Sequence, residues 1–223
     1  MLRRLLICLF FVLSVCIAEA QQVLLTATGK VVGTRLDVAT QAPYCILFPD
    51  DVRSFSEMVT LGRKLNNLGA NVLLVPSDKL YTEPVVTADQ LVNDIGWRVA
   101  ELRKLSHAPI FLFAENRVSA AALIAATKYF AIKGVIAAST GEYFPEKKYV
   151  ERSLSTLRVP VLALSTPDES ETVKGVFHNV PRRLVVFSSD LKAQGYTDLL
   201  QNTKQAGKIW LALSVFYHEH FEN

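Results

Sequence analysis

The chain reads as an α/β protein: a mainly parallel sheet with helices on both faces, led by an N-terminal β-hairpin. Three observations predict this. Short, continuous apolar runs recur at 44–48, 72–75, 110–113, 134–138, 159–164 and 184–187. Apolar runs without alternation mark strands that are covered on both faces. The stretches between them carry helical spacing, and strands that alternate with helices imply crossovers and a parallel sheet. No repeat, low-complexity tract or linker divides the chain, so residues 21–223 read as one domain.

The elements follow in order. Residues 1–20, MLRRLLICLFFVLSVCIAEA, have the layout of a secretory signal peptide. Arg3 and Arg4 form its positive start, residues 5–18 its apolar run, and Ala18-Glu19-Ala20 its cleavage site. The run is shorter than the ~18–20 residues that span a bilayer. The alternative is lipoprotein processing at Cys16, where the bulky Val15 stands in a position that such sites usually give to a small residue. The expected location is secreted or periplasmic, in a bacterial cell envelope, with no transmembrane anchor after cleavage. Cleavage at Ala20 removes Cys8 and Cys16, and Cys45, inside the run 44–48, reads as a buried, unreactive thiol.

Residues 23–28 and 31–38 flank Gly29-Lys30, the pattern of a hairpin around a two-residue turn. Ser54-Phe55-Ser56-Glu57 is a capping box, with Phe55, Met58, Val59, Gly62 and Leu65 following on one helical face. Thr87-Ala88-Asp89-Gln90 repeats that logic before Leu91, Ile95, Val99 and Leu102. Residues 118–126 are apolar nearly all round and rich in Ala, which predicts a helix buried on most sides. Residues 209–221 form a last amphipathic helix.

Charge excludes a strongly basic nucleic-acid binder. The chain has 24 basic and 21 acidic residues, for a net charge of +3, and loses Arg3, Arg4 and Glu19 with the leader. It contains no Gly-rich phosphate loop, H-E-x-x-H or Cys-x-x-Cys, so neither a cofactor nor a metal centre is expected.

Ligands of open parallel sheets collect beyond the carboxyl ends of the strands. The residues that follow the apolar runs include Asp50, Asp51, Asp78, Glu115, Asn116, Ser139, Asp168 and Asp190. Such an acidic rim could hold a hard cation or meet a cationic partner. Asp is also common at helix N-termini, where it caps the helix and complements its dipole, and that reading outweighs a metal here.

The order of elements resembles the α/β-hydrolase fold across essentially the whole chain after the leader. PIFLFAENRVSAAALIAA is similar to that family's strand–elbow–helix segment, KGVIAAST to its next strand, and VPVLALSTPDES to the strand that delivers its acid, with Asp168 at the acid's place. ILFPDDVRSFSEMVTLGRKLNNLGANVLLVP and RRLVVFSSDLKAQGYTDLL are also similar to a smaller group of secreted gammaproteobacterial proteins with a degenerate hydrolase fold. The departures carry the functional expectation. The family's G-x-S-x-G turn reads Ala114, Glu115, Asn116, Arg117, Val118, so Asn116 holds the nucleophile's position. The oxyanion-loop position reads Pro49-Asp50-Asp51, where carboxylates would repel a developing oxyanion. The base's position has no histidine, and Gln194 is the nearest counterpart.

The resemblance therefore implies a protein that keeps the fold and lacks the triad: a non-catalytic binding or scaffold protein. Its unidentified protein or small-molecule ligand would sit at a rim of Asp50, Asp51, Asp78, Glu115, Asn116 and Asp168. The alternative is a serine hydrolase or esterase with a displaced site, in which Ser119 or Ser139 acts with Asp168.

Overall fold

The computed structural model describes residues 21–49, 55–83, 85–192 and 197–221. The leader at 1–20, Asp50, Asp51, Ser54 and Gln194 lie outside the described residues.

Eight strands form one sheet: β1 (Gln22–Leu25), β2 (Val31–Leu36), β3 (Tyr44–Leu47), β4 (Asn71–Leu74), β5 (Ile110–Glu115), β6 (Ile132–Ala138), β7 (Val161–Leu164) and β8 (Val185–Ser188). The described helices are α1 (Phe55–Asn66), α2 (Lys79–Thr82), α3 (Ala88–Arg103), α4 (Asn116–Lys128), α5 (Tyr149–Ser153), α6 (Ser170–Val176), α7 (Thr197–Leu200) and α8 (Lys204–Phe221). The sheet order is β1-β2-β4-β3-β5-β6-β7-β8. β1 and β2 pair antiparallel, β2 meets β4 antiparallel, and every pairing from β4 through β8 is parallel.

Two cores lie on the two faces of this sheet. Ile46, Leu73, Leu112, Val135 and Ala163 face α3 and α4, whereas Cys45, Val72, Phe111, Ile136 and Leu162 face α1 and α8. Strand residues alternate between the two cores with a period of two, so both strand faces are apolar. α4 is buried from Val118 to Ala126, as its all-round apolar sequence predicts. α3 begins with the expected capping box: Thr87 Oγ1 accepts from Gln90 N, and Gln90 Oε1 accepts from Thr87 N.

The apolar runs locate the strands, but the boundaries move. β5 extends through Glu115, so Ala114 and Glu115 belong to the strand and not to a loop beyond it. The hairpin turn is also longer than two residues. Thr26 N donates to Lys30 O, Gly29 N donates to Thr26 O, and Gly29 takes a φ of +82°, which favours glycine. α8 starts at Lys204, five residues ahead of the apolar pattern, because Lys204, Gln205 and Lys208 continue its polar side.

Candidate functional site

The sheet order reverses between β3 and β5. β4 lies on one side of β3, and the chain then returns to place β5 on its other side. Loops leaving the carboxyl ends of two such strands diverge, and the crevice between them is where open α/β sheets bind ligands. The two strands stay paired to their ends, with Phe48 N donating to Phe113 O at 3.0 Å.

Asn116 stands at this point. It is the first residue of α4, directly after β5, and its φ is +50°. A strand that turns straight into a helix needs a left-handed residue at the corner. Asn tolerates that region better than other non-glycine residues because its short amide bonds locally. Arg117 follows, and its Nη2 donates to Tyr81 O at 3.1 Å, which ties the corner to α2. Ser119, one turn into the helix, is fully buried, and its Oγ donates to Asn116 O at 2.6 Å. That is the back-bonded state of a helical serine.

The next strand ends in a second strained residue. Ser139 has a φ of +48° and is 1% exposed. Hydrogen bonds hold it. Its N donates to Leu164 O at 2.8 Å, its carbonyl accepts from Tyr143 Oη at 2.5 Å, and its Oγ donates to Glu169 Oε2 at 2.9 Å. Glu169 Oε2 also accepts from Thr166 N at 3.0 Å, while Thr166 Oγ1 accepts from Glu169 N at 3.3 Å. Glu169, not Asp168, is therefore the engaged carboxylate after β7. Asp168 is exposed and does not cap α6, whose N-cap residue is Glu169. The reciprocal Thr166–Glu169 bonds were legible in the sequence as Thr166-Pro167-Asp168-Glu169, a T-x-x-E pattern in the turn that enters α6.

The other rim carboxylates have separate surroundings. Asp78 caps α2 by accepting from Leu80 N at 2.9 Å. Glu115 is 1% exposed inside the sheet. Among the described residues no group of three or more His, Cys, Asp or Glu side chains is placed to hold a metal ion.

All four histidines are described; His107, His218 and His220 belong to the opposite edge of the sheet, and His178, just after α6, lines a pocket with Glu142, Lys148 and Glu151. His107 precedes β5 and His178 precedes β8. His218 and His220 lie in the last turn of α8, whose Phe221 packs against Gly134 near the start of β6.

Two features escaped sequence reasoning. The first is a buried ionic cluster behind the corner. Arg98, 2% exposed, donates through Nε to Asp94 Oδ2 at 2.6 Å and through Nη1 to the carbonyl of Val32. Tyr81 also donates to Asp94. Burial, with Asp94 beside it, pushes the Tyr81 phenol well above its ordinary value of 10.0, against the pull of Arg98. Burial opposes the Arg98 charge, but Tyr81 and Asp94 outweigh it and hold the guanidinium above its usual value. Its sequence signal was an arginine among Leu91, Ile95 and Leu102, on a stripe that faces the core. The second is a pocket of about 720 Å³ between the segment entering α3 and the loop after β6. Val85, Val86, Phe144, Pro145 and Tyr149 give it an apolar lining. Glu142 fixes the loop by accepting from Val150 N and Glu151 N at 2.9 and 2.8 Å.

The topology and the strand-to-helix corner define an α/β-hydrolase fold, and solved structures agree. The chain is similar to the esterase domain of a Rhodothermus marinus protein, at 16% identity and a TM-score of 0.65, covering 90% of this chain and 98% of that one. It is also similar to a dienelactone hydrolase from Anabaena variabilis, at 12% identity and a TM-score of 0.65, over 91% and 98% of the two chains. A carboxyl esterase from the mycorrhizal fungus Tuber melanosporum matches at 11% identity and a TM-score of 0.68, over 93% and 88%. At these identities the likeness establishes the fold. No protein-family model matches the sequence. No curated protein matches it either.

Proposed function

We propose that this is a secreted or periplasmic α/β-hydrolase-fold protein that binds a ligand without turning it over, a non-catalytic binding or scaffold protein of the bacterial cell envelope. The observation that carries this reading is Asn116 at the strained corner after β5. An amide is neither the hydroxyl nor the thiol that acyl transfer requires. A general base must also come within about 2.6–3.2 Å of the proton it takes; His107, His218 and His220 lie at the far edge of the sheet, and His178 follows α6 in a pocket with Glu142. The leader-like residues 1–20 support the location, and the resemblance to a secreted gammaproteobacterial group supports degeneracy. The pocket beside Phe144 supports a small-molecule ligand, since its volume of about 720 Å³ falls in the range of ligand sites.

The test is hydrolysis of short-chain acyl esters by the purified protein. The expected rate equals that of buffer, and Asn116→Ser does not raise it, because among the described residues no histidine follows β5 or β8 at the carboxyl edge. Steady turnover that Asn116→Ala abolishes overturns the proposal.

One observation favours the second reading, a hydrolase with a displaced site. Ser139 combines a strained backbone with a hydroxyl bonded to a carboxylate, and strain collects at functional sites. Its burial argues against access by a substrate. A fluorophosphonate probe separates the two readings: stoichiometric labelling at Ser139 supports the hydrolase, and an unlabelled chain removes it.

A further inference from the structure

We propose that the amino-terminal edge of the sheet, opposite the corner at Asn116, docks on an anionic lipid surface through Phe130 and the basic residues around it. The segments that feed β5, β6, β7 and β8 at this edge are residues 104–109, 129–131, 154–160 and 177–184, and none contains Asp or Glu. They contribute Lys104, Arg158, Arg182 and Arg183, all exposed, while the exposed Lys128 and Lys133 bracket the second segment. The opposite edge carries Asp78, Glu146, Asp168 and Asp190 in the corresponding loops. These four segments are thus purely basic, whereas the opposite edge mixes its acids with Lys79, Lys147, Lys148 and Lys192, and Glu101 and Glu219 border the basic segments from α3 and α8.

Apolar side chains stand within this basic field. Phe130 is 89% exposed and Leu105 is 52% exposed. Phe130 lines a cleft of about 470 Å³ together with Lys128, Lys133 and Arg158, and no carboxylate contributes to that lining. Arg158 Nη1 donates to the main-chain carbonyls of Leu157 at 2.8 Å and Ser155 at 3.5 Å, which leaves its charge uncompensated there. Lys128 meets Asp89 at 3.4 Å and Lys104 meets Glu101 at 2.6 Å, both on the surface, where such pairs are weak and exchange readily. Among the described residues Lys133, Arg182 and Arg183 form no ion pair.

Apolar tips amid cations suit a bilayer interface. The Phe130 ring and Leu105 enter the acyl boundary while the ammonium and guanidinium groups stay level with the phosphates. Each Lys or Arg near such a surface adds attraction that salt screens. A soluble anion held in the cleft would neutralise charge but leave Leu105 and most of Phe130 in water. Docking in this orientation turns the corner at Asn116, at the other end of α4 from Lys128, away from the membrane. The inference stands independently of the non-catalytic reading.

The experiment uses the full chain and phosphatidylcholine vesicles with and without phosphatidylglycerol. Because the apolar leader is common to every variant, comparisons between variants isolate the edge. Binding is expected to rise with phosphatidylglycerol above the leader's own contribution to neutral vesicles, and that increment is expected to fall with salt. Lys133→Glu/Arg158→Glu should weaken it about tenfold or more, while the charge-matched pair Lys79→Glu/Lys147→Glu at the other edge leaves it unchanged. Unaltered circular dichroism and melting show that each variant folds. Phe130→Trp with brominated lipid reads position directly, and quenching of this tryptophan above the background of Trp97 and Trp210 is expected. A tryptophan at 130 that stays unquenched while the protein sediments with vesicles overturns the proposal. Equal loss in the control pair also overturns it. So does binding to a soluble polyanion such as duplex DNA that Phe130→Ala leaves intact when vesicles are not bound.

Discussion

Asn116 is the residue on which the functional reading turns, and its φ of +50° makes it separately testable for stability. Glycine occupies this region without strain, so Asn116→Gly should be neutral to mildly stabilising in chemical denaturation. A β-branched residue should lose about 1–3 kcal/mol in Asn116→Val. Equal stabilities for the two variants would mean that the corner relaxes in solution. Cys45 offers a second test. Burial raises its thiol well above the ordinary 9.0, so the folded protein keeps a proton that the unfolded chain releases. The native state binds more protons in that range, and stability therefore falls as pH rises past about 9. Tyr81 adds a further fall above about 10 by the same sign. Denaturation between pH 8 and 11 should show this loss, and Cys45→Ala should remove its earlier part; a flat profile contradicts the burial of both groups.

At the scale of elements, the ionic cluster joins β2, α2 and α3 through Val32, Tyr81, Asp94 and Arg98. Removing one partner strands the other charge out of water, so Arg98→Met should cost about 3–5 kcal/mol. The double variant Asp94→Leu/Arg98→Met should lose less than the sum of the single changes, because it leaves no buried charge behind. Additive losses would show that the two residues act apart. Close approach of elements is tested at Gly96, where an added Cβ would lie 2.1 Å from the Tyr129 ring. Gly96→Ala gains helix propensity and forces that ring to move, and the packing loss of about 1–3 kcal/mol should win. A higher melting temperature would show that Tyr129 gives way freely. Thr87 shows how local signals survive into the structure, since its capping box was readable from four residues. Asn71 shows the opposite. Its buried amide accepts from Val38 N and Ala39 N and donates to Ala39 O and Ala42 O, so one side chain shapes the link between β2 and β3. Nothing in the spacing of a lone Asn before an apolar run announces that role, because its partners lie about 30 residues away in sequence.

On the scale of the whole molecule, the sheet separates two chemistries. The carboxyl edge has the strained corner and the engaged Glu169, and the amino edge has Phe130 and the cations around it. An ester-turnover assay addresses the first edge and a vesicle assay the second, so neither result decides the other.

The order of apolar runs and helical stretches by itself determined an α/β fold led by a hairpin, because burial on both faces of a strand writes itself as an unbroken apolar run. Local signals of the same kind placed Asn116 after β5 and Thr87 at the start of α3. Tertiary structure alone decided that Glu169 rather than Asp168 reaches Ser139, that Arg98 is buried with Asp94, and that the rim carboxylates split among a helix cap, the sheet interior and solvent. The physical reason is range. A hydrogen bond between side chains 30 residues apart depends on where strand ends and loop turns bring them, to within a fraction of an ångström, and periodicity in the sequence does not encode that distance.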